Sequence, residues 1–384
     1  MSSTRRFETR VIHAGEPRPR IGGAVTPPIF QSATFEYAGD GSYHDVRYIR
    51  LNNTPSHAVL HAKLAALEGG EAALVTASGM AAISATLLSL LSSGDHLLAH
   101  RSLYGGTHHF VTKDLPALGI ACTLVDADDP ASWRAALRPR TRAFYVETMT
   151  NPLLDVVDLE GVVAFCREHG LTSIVDNTCA SPVNYRPIER GFDLVVHSAT
   201  KYLNGHSDIV AGAVVGSAAQ VTGVKHKLDH LGGSLDPHAC FLLHRGIKTL
   251  TLRVRQQNES TLALARFLES HPAVSRVCYP ALESHPRHAR ARAWFQGAGG
   301  LLSFEPMGGV AAAERLLGAL ELATSAPSLG GTETLVTRPS VTSHAGVPAD
   351  ERRSQGISDA LVRVAVGLEA ADDLVEDFDR GLSA

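Results

Sequence analysis

The chain has no CxxC pair, no basic block and no apolar run long enough to cross a bilayer. Its five cysteines, Cys122, Cys166, Cys179, Cys240 and Cys278, are scattered and odd in number. That excludes a disulfide framework or a cysteine zinc site and fits a reduced compartment. A formal charge of -4 offers no electrostatic case for nucleic acid. The stretch MSSTRRFETR carries arginines but no apolar core, so it does not read as a secretory signal. Apolar runs are broken by Ser and Gly, so no membrane span is expected. No GxGxxG, Walker A or GxSxG stretch appears, which removes nucleotide-binding and serine-hydrolase readings. His285 and His288 in HPRHARAR read as a solvated helix start, and no metal is expected. The default is a cytoplasmic protein.

What is present is a large apolar fraction, 44%, over 384 residues. At ~100–200 residues per domain, two or three domains are expected. Residues 1–55 are rich in Gly, Pro, Asn and Thr and read as an irregular arm packed on something. Residues 56–246 read as a large domain. SHAVLHAKLAALEGG is a helix with Ser56 as N-cap, and GMAAISATLLSLL is a helix capped by Ser78. EAALVTAS, HLLAH, ACTLVD, AFYVET, LTSIVDN, FDLVVHS and AGAVVG read as strands, with the helix LEGVVAFCREHG between two of them. Strands alternating with helices imply a mostly parallel sheet with helices on both faces. Residues 247–384 read as a smaller α/β domain. It opens with one long helix over IKTLTLRVRQQNESTLALARFLES and contains the strands VSRVCY, GGLLSFE and LVRVAVGLE.

In an open parallel sheet, ligands bind at the carboxyl ends of the strands. The residues just past those ends are therefore informative. EAALVTA is followed by Ser78, Gly79 and Met80 at a helix start, where free N–H groups suit a phosphate. HLLAHRSL is followed by Tyr104, AFYVETMT by Asn151, and LTSIV by Asp176, Asn177 and Thr178. DLVVH is followed by Ser198, Thr200 and Lys201. Singly, these are ordinary caps, turns, core aromatics or a solvated lysine. Jointly, an anion cradle, an aromatic face, a carboxylate, hydroxyls and a lysine match pyridoxal 5'-phosphate. Lys201 would condense with the aldehyde, and Asp176 would keep the pyridine nitrogen protonated. Tyr104 would stack on the ring. Ser78, Gly79, Met80, Ser198 and Thr200 would hold the phosphate. Cys179 reads as a small buried cysteine, not a nucleophile, and His206 as a residue that orders the loop.

The stretches TPPIFQSATF, YIRLNN, LAALEGGEAALVTASGMAAI, LYGGT, ETMTNPLLDVVDL, VDNTCASP, DLVVHSATKYLNGHSDIVAG, RGIKTL, APSLGGTETL and LVRVAVGLE together resemble the trans-sulfuration family of pyridoxal-phosphate enzymes. That group includes cystathionine γ-synthase, cystathionine γ-lyase and methionine γ-lyase. The resemblance implies an aspartate-aminotransferase-type fold (fold type I) with an arm, a cofactor domain and a smaller C-terminal domain. It implies a homotetramer of two catalytic dimers, in which Tyr48 and Arg50 reach the phosphate of a neighbouring subunit. Thr178 joins the cofactor-binding residues on the same grounds. Asn151, Ser328, Leu329 and Arg363 resemble the groups around the substrate, with Arg363 suited to its α-carboxylate. The implied reaction is γ-elimination or γ-replacement on sulfur amino acids of the cystathionine and O-acylhomoserine class. Methionine γ-lyase and cystathionine β-lyase are the alternatives, and a cofactor-binding regulator without turnover is a reading from another class.

Three departures stand out. The family's arm pattern, Tyr-x-Arg-x-x-Asn-Pro-Thr, becomes YIRLNNTP, with the proline displaced. Methionine γ-lyases commonly carry cysteine where Gly106 stands. Many relatives write Glu-Ser-Leu-Gly-Gly where this chain has Pro327-Ser-Leu-Gly-Gly. Proline cannot bind an ammonium through its side chain.

Overall fold

Strand and helix alternate through the first half of the chain because short Val/Leu/Ala runs are followed by capped helical segments. The computed structural model describes residues 5–37, 39 and 46–384; residues 1–4, 38 and 40–45 of the expected arm lie outside them. The strands are β1 (Ala72–Thr76), β2 (His96–His100), β3 (Ala121–Val125), β4 (Thr141–Glu147), β5 (Thr172–Asp176), β6 (Leu194–His197) and β7 (Gly212–Gly216). They form a seven-stranded sheet in the order β1-β7-β6-β5-β4-β2-β3. β7 runs antiparallel to both neighbours, and the other pairs are parallel.

The strands are apolar on both sides, as a covered parallel sheet requires. Leu97, Tyr145, Ile174 and Val196 face the helices Gly79–Leu90 and Ala218–Leu231. Leu98, Phe144, Val175 and Val195 face the opposite core, with the helices Pro55–Glu68 and Leu159–His169. There Trp133 lies edge-on to Phe144 and Phe165, with ring centroids 5.4 Å apart in both pairs. The same core runs on into a second sheet.

That second sheet comprises β8 (Val274–Cys278), β9 (Leu301–Pro306), β10 (Thr324–Ser325), β11 (Leu335–Thr337) and β12 (Val362–Ala365). Its order is β10-β11-β12-β9-β8, antiparallel except at β10–β11. The central pair β9–β12 sets Arg363 opposite Ser303. Among the described residues no helix is long and apolar enough to cross a membrane.

Several elements differ from expectation. The helix expected from Ser56 begins at Pro55, because proline suits the first helical turn. Ser56 does not cap it; its hydroxyl accepts from Phe30 N at 3.0 Å and so anchors the arm. The expected long helix runs Leu250–Ser270, and a further helix that was not expected, Pro237–Ile247, precedes it. That preceding helix carries its own start signal: Asp236 accepts from His238 N at 2.8 Å, directly before a proline. The arm helix Phe7–His13 is held by buried Lys63, which donates to Val11 O and Ile12 O at 2.9 Å each.

Candidate active site

Past the carboxyl ends of β1, β2, β4, β5 and β6 lies a cavity of about 580 Å³. Ser78, Gly79, Met80, Tyr104, Asn151, Asp176, Thr178, Ser198, Thr200, Lys201, Ser328, Leu329 and Arg363 all line it. Tyr48 and Arg50 do not line it in their own chain. Tyr48 is exposed, while Arg50 donates to Asp229 O at 2.7 Å and lies over the Tyr48 ring.

The anion cradle is built by a helix cap. Ser78 Oγ accepts from Ala81 N at 3.0 Å, so the cap consumes the third N–H of helix Gly79–Leu90. The N–H groups of Gly79 and Met80 carry no such side-chain cap. They lie at the positive end of the helix, against the cavity. Glycine is required at 79: a Cβ there would lie 2.8 Å from the Ser198 Cβ, so only Gly lets the two loops meet. Ser198 is held by its own N–H, which donates to Thr178 Oγ1 at 2.8 Å. Thr200 is less free than expected. Its hydroxyl donates to Ala211 O at 3.1 Å and accepts from Ala211 N at 2.9 Å, so it pins the loop as well as lining the cavity.

Asp176 is 8% exposed and ends β5. Thr178 N donates to one carboxylate oxygen at 2.9 Å and Tyr145 OH to the other at 3.4 Å. Burial pushes this carboxyl above its ordinary range, and the Thr178 hydrogen bonds pull against that push. A carboxylate in this position is poised for a cationic partner.

Lys201 Nζ donates to Ser328 Oγ at 2.7 Å. Arg363 donates to Ser328 O at 2.9 Å and to Asn151 Oδ1 at 3.3 Å. Its Nε is buried with no hydrogen-bond partner among the described residues. These partners are neutral, so a buried guanidinium is left in want of an anion. Ser328 has φ 103°, a strained conformation for serine that turns its hydroxyl to Lys201 and its carbonyl to Arg363.

Burial first, and the nearby Arg363 charge second, push the Lys201 amine down from 10.5 to about 8. An amine attacks an aldehyde as the free base, whose fraction rises as pH climbs through that value and then levels off. Protein stripped of any bound aldehyde should therefore take up pyridoxal 5'-phosphate at a rate that rises with pH and flattens above about 9. Stopped-flow absorbance measures this; a rate still climbing beyond the ordinary lysine value would contradict it.

Some lining residues were not anticipated. Glu147 ends β4, is 5% exposed, and accepts from Tyr104 N at 2.6 Å. Thr342 and Ser343 close one side from a distant loop. Cys179 lines the cavity and is only partly buried, contrary to expectation. Its thiol is pushed far up by burial, so it stays protonated and is no nucleophile. His206 orders its own loop by bonding Asn204 O at 2.8 Å.

The site offers an amine for an aldehyde, a buried carboxylate for a cationic ring nitrogen and a glycine-opened helix start for a phosphate. Pyridoxal 5'-phosphate has those three groups, and the residues fit it. Similarity to known proteins agrees. A family model described as Cys/Met metabolism PLP-dependent enzyme matches residues 8–383. The chain is 43% identical over 390 residues to an L-methionine gamma-lyase of Pseudomonas putida, covering 98% of this chain and 97% of that one. It is 41% identical over 376 residues to a cystathionine gamma-lyase of Bacillus subtilis (strain 168), covering 98% of each. A crystal structure of cystathionine gamma synthase from Xanthomonas oryzae pv. oryzae, in complex with aminoacrylate and cysteine, superposes with a TM-score of 0.95. It is 38% identical, covering 99% of this chain and 98% of that one.

Proposed function

Because the chain belongs to the Cys/Met metabolism PLP-dependent enzyme family, we propose that its cavity carries out γ-carbon chemistry on α-amino acids bearing a sulfur or ester substituent. The protein is a PLP-dependent enzyme of trans-sulfuration. One observation carries the reading of its substrate: Lys201 Nζ and the Arg363 guanidinium both bond to Ser328, at 2.7 and 2.9 Å. A substrate carboxylate on Arg363 therefore brings its α-carbon beside the amine. Arginine suits this task because its planar fork matches a carboxylate.

The bound cofactor supplies an electron sink for the carbanion formed at the α-carbon. Lys201 would hold it through its amine. Nζ, with its proton affinity lowered by burial and by Arg363, is the group that would take the α-proton. Ser328 Oγ steadies Nζ. Asp176 would pair with the ring nitrogen and Tyr104 would stack on the ring. Gly79, Met80 and Ser198 would hold the phosphate, and Asn151 orients Arg363.

The cavity favours an uncharged γ-substituent. Met80, Ile83, Val210, Pro327 and Leu329 give its wall apolar surface. Its two carboxyls, Glu147 and Asp176, are bonded to Tyr104 N and to Thr178 N. Among the described residues a cystathionine ammonium would find no further carboxylate, and an unpaired charge in such a site is costly. We expect 2-oxobutanoate and ammonia from L-methionine or O-acetylhomoserine, with kcat/KM ~10-fold or more above that for cystathionine. With a thiol present, part of the flux should pass to a new thioether. Pyruvate as the sole product from cystathionine would replace this reading with β-elimination.

The assembly belongs to the same proposal: a cytoplasmic homotetramer of two catalytic dimers, with Tyr48 and Arg50 completing a neighbour's phosphate site. Exposed Tyr48, and Val25 and Ile29 along an exposed stretch of arm, support it.

A further inference from the structure

We propose that Glu147 is a positioning residue: its carboxyl, fixed at the end of a central strand, holds the Tyr104 backbone and thereby sets the ring over the cofactor. The inference rests on the reading above, in which Tyr104 covers that ring. Tyr104 sits on the loop between β2 and β3, and its side chain is 43% exposed, so the core does not fix it. Its N–H donates to Glu147 Oε1 at 2.6 Å. Glu147 is itself immobile. β4 lies between β2 and β5, and Glu147 pairs in register with Asp176. A short hydrogen bond from a rigid strand to a loop is a means of transmitting order to that loop.

This carboxyl stands in a costly place. It is 5% exposed and lies beside a second buried carboxyl, Asp176. A purely structural site would be better served by an amide or an apolar side chain. Tyr145 from the same strand and Cys179 from the loop past β5 face the pair without supplying a positive charge. Lys201 and Arg363 stand across the cavity. Burial, then repulsion from Asp176, drive the Glu147 carboxyl well above its usual range. A neutral acid accepts from an N–H through its carbonyl oxygen, and an amide of the same length does the same. What the site uses is then the reach of Glu147, not its charge.

Two variants separate those properties. Glu147→Gln keeps the reach and removes the ionisable group; Glu147→Asp keeps the ionisable group and shortens the reach. Each is purified with bound cofactor, and three quantities are read: kcat and KM on the best sulfur amino-acid substrate, the induced circular dichroism of the cofactor's visible band, and Tm. We expect E147D to lose ~10–100-fold in kcat, with KM changed less, because a small misplacement of a positioned group has that cost. Its cofactor dichroism should change while Tm stays close to wild type. E147Q should recover most of the loss, to within ~5-fold of wild type, and restore the dichroic band. If E147D outperforms E147Q, or if neither variant alters the dichroic band, the inference is overturned. The wild-type visible band tests the underlying reading separately: its absence defeats that reading, whereas its presence with unaltered variants defeats only the role of Glu147.

Discussion

Replacing Lys201 with alanine lowers turnover by ~10⁴-fold or more, and the purified variant loses the covalently held form of the cofactor's visible band. The size comes from two losses at once. In the proposed function Nζ both binds the cofactor covalently and moves the α-proton, and Ser328 Oγ, 2.7 Å away, cannot replace an amine. Four decades correspond to ~5.5 kcal/mol of barrier. The fold should survive, because removing a partly buried amine from a cavity wall leaves both sheets untouched. Added small amines should restore part of the activity. A K201A protein with turnover within tenfold of wild type would mean that another group does this work.

Replacing Asp176 with asparagine is the second large effect, with kcat lower by ~10³-fold. Both carboxylate oxygens already face donors, Thr178 N at 2.9 Å and Tyr145 OH at 3.4 Å. An amide keeps its oxygen on Thr178 N and turns its NH2 to Tyr145 OH, which must then accept instead of donate. It also removes the charge that, in the proposed function, keeps the ring nitrogen protonated. Burial raises this carboxyl when it stands alone, whereas a cation opposite it lowers it again. Protein without its cofactor should therefore lose affinity for it on acidification beginning above the ordinary carboxylate range, which a binding titration against pH measures. D176N should still bind cofactor, with a shifted absorption band. Full activity in D176N would remove the electron-sink role of this pair.

Why these two residues are legible in the sequence, while Glu147 is not, has a physical answer. Parallel strands gather their carboxyl ends on one edge, so residues past successive apolar runs must converge. Ser78, Tyr104, Asn151, Asp176 and Lys201 stand just past such runs, and that position alone marks them without reference to any relative. Ser328, Leu329 and Arg363 come from segments of the second sheet, and no periodicity states which edge they approach. Only resemblance suggests them, and the β9–β12 pairing sets Arg363 within the cavity wall. Glu147 ends an apolar strand, as many capping carboxylates do. Its meaning lies in the 2.6 Å contact with Tyr104 N, across a loop.

Helices are harder to read where proline or glycine marks them. Pro237 opens a helix and Gly246 lies inside it, a stretch to which the sequence pattern assigns no element. Gly246 tolerates no side chain because Asn204 O would lie 2.2 Å from a Cβ there, so its glycine serves packing and not a turn. The helix Ala218–Leu231 contains Gly223, which hides its period, although Ser217 caps it through Gln220 N at 3.3 Å. In both helices the cap is a better guide than the breaker. Neither supplies a residue to the cavity wall, which is why the site can be outlined while parts of its scaffold cannot.

The most direct measurement is borohydride reduction of the protein purified with its cofactor, followed by mass mapping of peptides. Reduction should bleach the visible band and leave the pyridoxyl mass on the peptide containing Lys201, and on no other. Label on a different lysine, such as buried Lys63, or an unlabelled digest from protein that shows the visible band, would contradict the assignment on which the chemistry rests.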